Sequence, residues 1–483
     1  MTSQVTGQTA RGRVQSLSPA VASLSPAERA SLGKAARKAV PRSRHAELDL
    51  TTREDPIELL EQQAARRVPE LVPVRYGRML ASEFSYFRGA ALPMASDLAR
   101  TPACGLQAQL CGDAHLSNFG AFASPERRLI FSINDFDETA PGPWEWDVKR
   151  LAASMEVAAR DHGFSRKHRR AIVTATVRSY REAIREFAGL GNLAVWYAHL
   201  DLKSARRGLE AQMSPRQRRQ FRKDMTKAQR HDNLQAFSKL AVVDGTSTRI
   251  RAVPPLIVPL DCLVFTAEER DRMESAARRF IPAYVRSLDP SRRGLLAQYE
   301  FADMARKVVG VGSVGTRCWV ILMRGRDRSD PLLLQVKEAE ESVLCRYGKP
   351  SKLAREGERV VVGQRTMQAV SDIFLGWAPG TATDGQTHDY YVRQLRDWKL
   401  SFDVGEMLPP GLRFYGELCG WTLARAHARS GDRIAIAAYL GSGDRFDRAV
   451  AEFADAYADL NARDYQALIK AVAERRIFAE RDV

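Results

Sequence analysis

Asp113 stands five positions before Asn118 in CGDAHLSNFG, and a second acidic cluster, Asn134-Asp135-Phe136-Asp137-Glu138, follows a short apolar run. A carboxylate that orients a hydroxyl and takes its proton needs a metal-binding amide nearby, and another carboxylate to hold Mg²⁺ against nucleotide phosphates. Residue types and order therefore suit phosphoryl transfer, with Asp113 as the base and Asn118, Asp135 and Asp137 toward the metal. The run Leu129 to Ile133 has the length and composition of a buried strand. A turn at Arg127-Arg128 would carry Asp135 back beside Asp113. Each acidic segment alone is also what a Gly-Asp turn or a solvated acidic turn looks like; together, in this order, they favour a site.

Gly112-Asp113-Ala114-His115-Leu116-Ser117-Asn118 resembles the G-D-x-H-x-x-N catalytic loop of aminoglycoside phosphotransferases and choline-kinase-like enzymes. Asp135-Phe136-Asp137 resembles their metal-binding D-F-G or D-F-D element, and Trp146 to Ala152 the helix start that follows it. In those enzymes the Asp at the position of Asp147 braces the backbone of the catalytic loop. Cys111 departs from them, since they carry a mainly structural His there. The segments CGDAHLSNFG and NDFDE also resemble an uncharacterised bacterial domain-of-unknown-function family, from about residue 40 to the C-terminus, which brings no settled activity. The phosphotransferase resemblance implies an α+β, protein-kinase-like fold of two lobes. It implies Asp113, His115 and Asn118 as the catalytic set, with ATP and Mg as cofactors.

The elements that must position these groups are read from the rest of the chain. A length of 483 residues suits two or three packed units, and 45% hydrophobic with 27% charged residues describes an ordinary folded protein. No apolar run is long enough to span a bilayer, and MTSQVTGQTARGRVQ lacks the apolar core of a secretory signal, so a cytoplasmic enzyme without a membrane partner is expected. Six scattered cysteines with no C-x-x-C pair suggest neither a zinc site nor a disulfide framework. The net charge of +16 fits an acidic partner, nucleic acid or phosphate-rich ligands. Most basic residues are interleaved with acids, however, and the basic helical region 165–235 holds few aromatics for base stacking.

Residues 1–50 read as a mobile basic arm with one short helix, opened by the capping signature Ser25-Pro26-Ala27-Glu28. Asp55-Pro56-Ile57-Glu58 opens a mostly helical large lobe, 56–300. Within it Arg75, Arg78 and Arg88 are candidate phosphate-binding cations or surface arginines with buried stems. Pro282 should bend or interrupt the helix that Thr266 caps.

Gly310-x-Gly312-x-x-Gly315 also marks dinucleotide-binding folds, but there the last Gly leads into a helix, whereas Thr316 to Met323 is β-rich. The stretch Val308 to Lys337 therefore reads as three strands with a glycine turn between the first pair. It resembles the glycine-rich lid and third-strand Lys of kinases, which implies Gly310, Gly312, Ser313, Gly315 and Lys337 around the phosphates. An edge-strand Lys is the alternative for Lys337.

An acidic partner for Lys337 is expected on the next helix, at Glu356 or Glu358, with Glu338, Glu340 and Glu341 nearer in sequence and the choice open. Tyr390 to Leu395 reads as a strand, and Arg396 to Lys399 as the turn that receives adenine in the resembled fold. The small nucleotide-binding lobe then spans 301–400, and 401–483 supplies helices that pack on the large lobe, including one with His427 as a packing residue.

Lid, Lys strand and hinge follow the catalytic loop by about 200 residues, the reverse of the order in kinases, so the lobes are expected in circularly permuted order. The expected activity is ATP- and Mg-dependent transfer to a hydroxyl of an unidentified acceptor. Two rivals are a kinase-like ATP-binding protein that is silent or transfers the nucleotide, and a basic nucleic-acid-binding protein.

Overall fold

The computed structural model describes residues 23–480 apart from 212–214, 231–232, 245–246, 264–265, 328, 383–384, 396–399 and 401. The chain is a mixed α+β protein with a helical lobe and antiparallel sheets.

Four short strands frame the acidic segments: β1 (Gln107–Leu110), β2 (Phe119–Ala123), β3 (Leu129–Ile133) and β4 (Ala140–Pro143). The first pairs antiparallel with the fourth, and β2 with β3 as a hairpin whose turn places Arg127 at a φ of 60°. Leu110 faces Ala140 and Phe119 faces Ile133. Both intervening loops, 111–118 and 134–139, are thus bounded by paired residues, which forces them side by side. The two-residue β5 (Leu200–Asp201) extends this hairpin, and β6 (Ala241–Asp244) with β7 (Ser247–Ile250) forms a separate ribbon.

The remaining strands are β8 (Ile257–Pro259), β9 (Glu300–Lys307), β10 (Cys318–Arg324), β11 (Pro331–Glu338), β12 (Gly376–Thr381) and β13 (Thr387–Gln394). They make one antiparallel sheet in the order β12-β13-β11-β10-β9-β8, with the helix Glu356–Met367 between β11 and β12 in sequence. Alternate residues reach opposite faces: Ile321, Leu334 and Val336 join one cluster with Ala277 and Tyr284, while Val320, Leu322 and Leu333 join another with Leu240 and Ile250. Both faces are covered, which is why every residue of β11 is buried.

This packing corrects the lobe boundary expected at 301. The helix Ala267–Ser287 belongs to the sheet lobe, where Tyr284 Oη donates to the Phe374 carbonyl and the Trp377 amide donates to Ser287 Oγ at 2.8 Å. Pro282 lies inside that helix without ending it. Packing of the flanking Ala277 and Tyr284 on the sheet outweighs the roughly 3 kcal/mol that an interior proline costs.

The helical lobe is built on Trp144–Asp161, Arg166–Gly189, Pro409–Ser430 and Arg445–Ala473. Its core is dense with aromatics: Trp144 stacks on Tyr180 with ring centroids 5.6 Å apart. Val360, Val361 and Met367 of the Glu356–Met367 helix enter the same core, so the lobes share one apolar interior.

Residues 26–46 are docked, where a mobile arm was expected through residue 50. The Pro26–Ala39 helix carries the full Ser25/Glu28 capping box, and Arg29 bonds Asp432 through Nε at 3.0 Å. His45 is fully buried 2.6 Å from Tyr439 Oη. Apolar and polar contacts made 400 residues away, invisible to local composition, hold this segment; residues 1–22 lie outside the described residues. Among the described residues no helix is long and apolar enough to cross a membrane.

Arg53 ties the beginning of the chain to its end. It contacts Asp97 at 2.7 Å through Nε and Asp464 at 2.6 Å through Nη2, all three side chains largely out of water. Removing one partner of such a buried network leaves unpaired charge and costs about 3–5 kcal/mol. Arg53→Met is expected to lower the unfolding midpoint by that equivalent in a denaturant titration. An unshifted midpoint would show that the clasp contributes nothing.

Candidate active site

Gly112 makes the first acidic loop possible. Its φ is +86°, and a Cβ there would lie 2.1 Å from the Glu138 carbonyl oxygen, so the two acidic loops touch backbone to backbone. Asp147, buried in the first turn of the Trp144–Asp161 helix, accepts the Cys111 amide at 2.8 Å and the Gly112 amide at 3.0 Å. His427 Nε2 lies 3.2 Å from the same carboxylate, and its Nδ1 meets Tyr180 Oη at 2.9 Å. His427 is fully buried and braces the loop through Asp147.

Asp113 emerges from this frame partly exposed. Arg150, one turn beyond Asp147, contacts its Oδ1 at 2.7 Å through Nη2 and 2.8 Å through Nε. Arg150 is itself fixed on the Phe87 carbonyl at 2.9 Å and over the Phe87 ring. Asp113 Oδ2 is left toward His115 Nε2, 3.6 Å away and beyond hydrogen-bond length. Burial pushes the His115 imidazole down to about 3, so the ring is neutral at physiological pH. Asn118 Nδ2 donates to the Asp113 carbonyl at 2.8 Å, which turns its amide oxygen away from that contact.

The second acidic loop meets the sheet lobe. Lys337 pairs in register with Cys318 and Tyr391, and alternation puts it on the face opposite Val336, looking into the cleft. Its ammonium ion-pairs with Asp137 and lies 3.6 Å from Asp135 Oδ2. Burial alone would lower the Lys337 ammonium, yet the two aspartates raise it well above its ordinary value. The effects on the acids diverge. Burial would raise Asp137, but Lys337 brings it down to about 2, whereas burial and the neighbouring Asp137 charge raise Asp135. Tyr391 Oη donates to Asp137 Oδ1 at 2.5 Å and Ser313 Oγ to Asp137 Oδ2 at 3.2 Å.

The glycine segment lies over this group. Gly310 and Gly315 have φ values of +64° and +90°, and a Cβ on Gly315 would meet the Arg67 side chain at 3.0 Å. The Val68 amide donates to the Gly315 carbonyl at 2.8 Å and Arg78 Nη1 to the Gly310 carbonyl at 2.7 Å, while Arg67 holds the Val314 carbonyl. A Cβ on Gly312 would approach the Arg88 carbonyl at 3.2 Å.

Asn118, Asp135, Lys337, Gly310 and Ser313 line one cleft of about 1230 Å³. A second, smaller space of about 60 Å³ is lined by Asp113, Asp137 and Gly312, and shares Arg88, Asn118, Asp135 and Ser313 with the first. The structure thus brings Asp113, His115, Asn118, Asp135, Asp137, Gly310, Gly312, Ser313 and Lys337 together, whereas Gly315 lines neither space and is held against Arg67 and Val68.

Glu358 is not the partner of Lys337. Adjacent helix residues point about 100° apart, and it is Arg359 that turns toward the site. Arg359 Nη2 donates to the Asp137 carbonyl at 2.9 Å and to the Glu340 carbonyl at 2.7 Å, and its Nε meets Glu356. Glu358 is half-buried, and burial raises its carboxyl above the ordinary value. Residues 396–399, expected to receive adenine, lie outside the described residues.

Arg150, Arg359 and Arg393 were not anticipated. Arg393 Nη1 donates to the Asn134 carbonyl at 2.9 Å. Its signal was available, since Arg393 shares the β13 face of Tyr391 by alternation. Arg150 follows Asp147 at helical i+3 spacing, which is also a signal. Nothing local distinguishes Arg359.

Among the described residues no group of three or more His, Cys, Asp or Glu side chains is disposed to hold a metal, and all six cysteines are free. Mg²⁺ needs less from a protein, one or two carboxylates with water and phosphate completing the octahedron. Asp135 with the Asn118 amide oxygen fits that requirement.

If Asp147 sets the loop, Asp147→Asn puts an amide donor against two backbone N–H groups. Charge-assisted bonds contribute about 1.5–3 kcal/mol each, so exchange of the Cys111 and Gly112 amides with deuterium should accelerate roughly 10- to 100-fold. Exchange at the wild-type rate would remove Asp147 from that role.

Among curated proteins and solved structures, none matches this chain. One family model does match, over residues 67–471, a span that contains every site residue from Arg67 to Lys337. The chain therefore belongs to the family described as an uncharacterized protein conserved in bacteria, DUF2252.

Proposed function

We propose that this protein is an ATP- and Mg-dependent phosphotransferase acting on a hydroxyl, with kinase-like lobes in permuted order. One observation carries the reading: Lys337, on the second strand after the start of a glycine segment, meets Asp135 and Asp137 from 200 residues earlier, on a cleft shared with Asn118 and Ser313. The strand succession supports it as well. In kinases a glycine loop covers the phosphates, the Lys sits on the third strand and a helix follows it; here β9, the glycine segment, β10, β11 with Lys337 and the Glu356–Met367 helix come in that order.

In this reading the cleft beneath Gly310 and Ser313 seats the triphosphate, and Lys337 moves its charge from Asp137 toward the phosphate oxygens. Asp135 and the Asn118 amide oxygen would hold Mg²⁺, which neutralises charge on the β- and γ-phosphates when bound. Asp113 Oδ2 faces the acceptor while Arg150 fixes Oδ1. The acceptor oxygen bonds to the γ-phosphorus and its proton passes to Asp113. The bond from phosphorus to the bridging oxygen breaks, and its electron pair leaves with ADP. His115, neutral and buried, packs beside Asp113 without a hydrogen bond to it and moves no proton.

Incubation with ATP and Mg²⁺ and mass analysis of the products tests this. ADP with phosphate-bearing products supports phosphoryl transfer, AMP-bearing products replace it with nucleotidyl transfer, and absence of nucleotide binding removes both. Chelation of Mg²⁺ should abolish turnover. Asp113→Asn should lower turnover roughly 10²–10⁴-fold, the range for a general base, with affinity for a non-hydrolysable ATP analogue nearly unchanged. Normal turnover in that variant would exclude Asp113 as base.

A further inference from the structure

Of the four arginines in the segment 67–88, three are engaged by hydrogen bonds, two of them on carbonyls of the glycine segment. Arg67 holds the Val314 carbonyl, Arg75 Nη2 bonds Gln63 at 2.7 Å and the Gly89 carbonyl at 3.0 Å, and Arg78 bonds the Gly310 carbonyl. Among the described residues, Arg67 Nε and Arg75 Nε and Nη1 are buried without partners, but each of those guanidiniums is anchored through another nitrogen. Arg88 differs in that its guanidinium makes no hydrogen bond among the described residues, and its Nε is buried. It lines both the large cleft and the small space holding Asp113, at their junction with Asn118, Asp135 and Ser313.

Leaving a buried guanidinium nitrogen without an acceptor is costly, and a ligand oxygen at that spot would relieve it. The charges of the neighbours are already matched: Asp113 with Arg150, and Asp137 with Lys337. Arg67 in the small space and Arg393 in the large cleft are held by carbonyl or amide oxygens, whereas Arg88 has no hydrogen-bonded acceptor among the described residues and feels Asp113 only at longer range. Its position between the nucleotide cleft and the base is where a transferred phosphoryl group must pass.

We propose that Arg88 is a further catalytic residue whose guanidinium binds the terminal phosphate of the nucleotide and offsets charge on the phosphoryl group in transit. This rests on the phosphotransferase reading. The acceptor–phosphorus bond forms and the bond to the ADP oxygen breaks as described above, and Arg88 contributes two N–H donors to the phosphoryl oxygens with no proton transferred. A guanidinium in this role is general chemistry for phosphoryl transfer, where it is worth 10³–10⁵ in turnover. What is specific here is its source, a helix 25 residues before the catalytic Asp and packed through its own carbonyl against the glycine segment.

The test compares calorimetric affinities of the full chain for Mg²⁺ with ADP and Mg²⁺ with a non-hydrolysable ATP analogue. The wild type should favour the ATP analogue. Arg88→Met should weaken the analogue by about 10- to 100-fold, the equivalent of one charge-assisted hydrogen bond, and leave ADP within about 3-fold. Arg88→Gln, which keeps the stem and a donor, gives the same comparison should the methionine variant fail to fold. A folded variant that retains the wild-type preference for the ATP analogue overturns the role of Arg88 and leaves the phosphotransferase reading standing. A wild type that binds neither nucleotide overturns both.

Discussion

A buried ion pair between two distant parts of the chain organises this molecule. Lys337, with 2% of its side chain exposed, meets Asp137 and Asp135 on a loop of the other lobe. Desolvating an ammonium and two carboxylates costs several kcal/mol per ion, and only close geometry with additional hydrogen bonds offsets it. Tyr391 and Ser313 supply those bonds on Asp137, and Arg393 fixes the backbone just before Asp135. Such a cluster contributes little net stability, but it penalises any arrangement in which the lobes separate or slip, because each displaced charge would remain buried and unpaired.

The apolar contacts enforce the same register. Val360, Val361 and Met367 of the Glu356–Met367 helix sit in the helical lobe's core, each buried side chain contributing roughly 1.5–3 kcal/mol. That helix also sends Arg359 to the carbonyls of Asp137, Thr139 and Glu340. The second acidic loop is therefore clamped at its backbone by one element and at its carboxylates by another. The first acidic loop is clamped by Asp147, and Gly112 permits the two loops to touch. Little of the site is left to side-chain rotamers, which is the condition for electrostatic preorganisation.

How much of this was legible varied with the range of the interaction. Asp113, Asn118, Asp135 and Lys337 could be found because each sits in a short segment with its own turn or strand signal, and strand alternation sent Lys337 into the cleft. The capping boxes at Ser25 and Thr266 were legible for the same reason. Glu358 was misplaced because helix phase decides which residue faces a strand, and a shift of one position turns the side chain through 100°. The docking of residues 26–46 depends on Asp432 and Tyr439, and the lobe boundary on which sheet face the Ala267–Ser287 helix covers. Contacts separated by hundreds of residues leave no trace in local pattern or composition.

Chain order has a consequence for the glycine segment. In this chain the helices Val72–Met79 and Glu83–Gly89 lie against it, with Leu71, Val74, Val308 and Val314 forming a small apolar cluster behind it. Lifting the segment would break the bonds from Arg67, Val68 and Arg78, each about 0.5–3 kcal/mol depending on charge, and would expose that cluster. A segment pinned at both ends by neighbouring helices behaves as a fixed wall rather than a hinged lid. The wall it forms borders both the large cleft, through Gly310 and Ser313, and the small space beside Asp113, through Gly312 and Ser313.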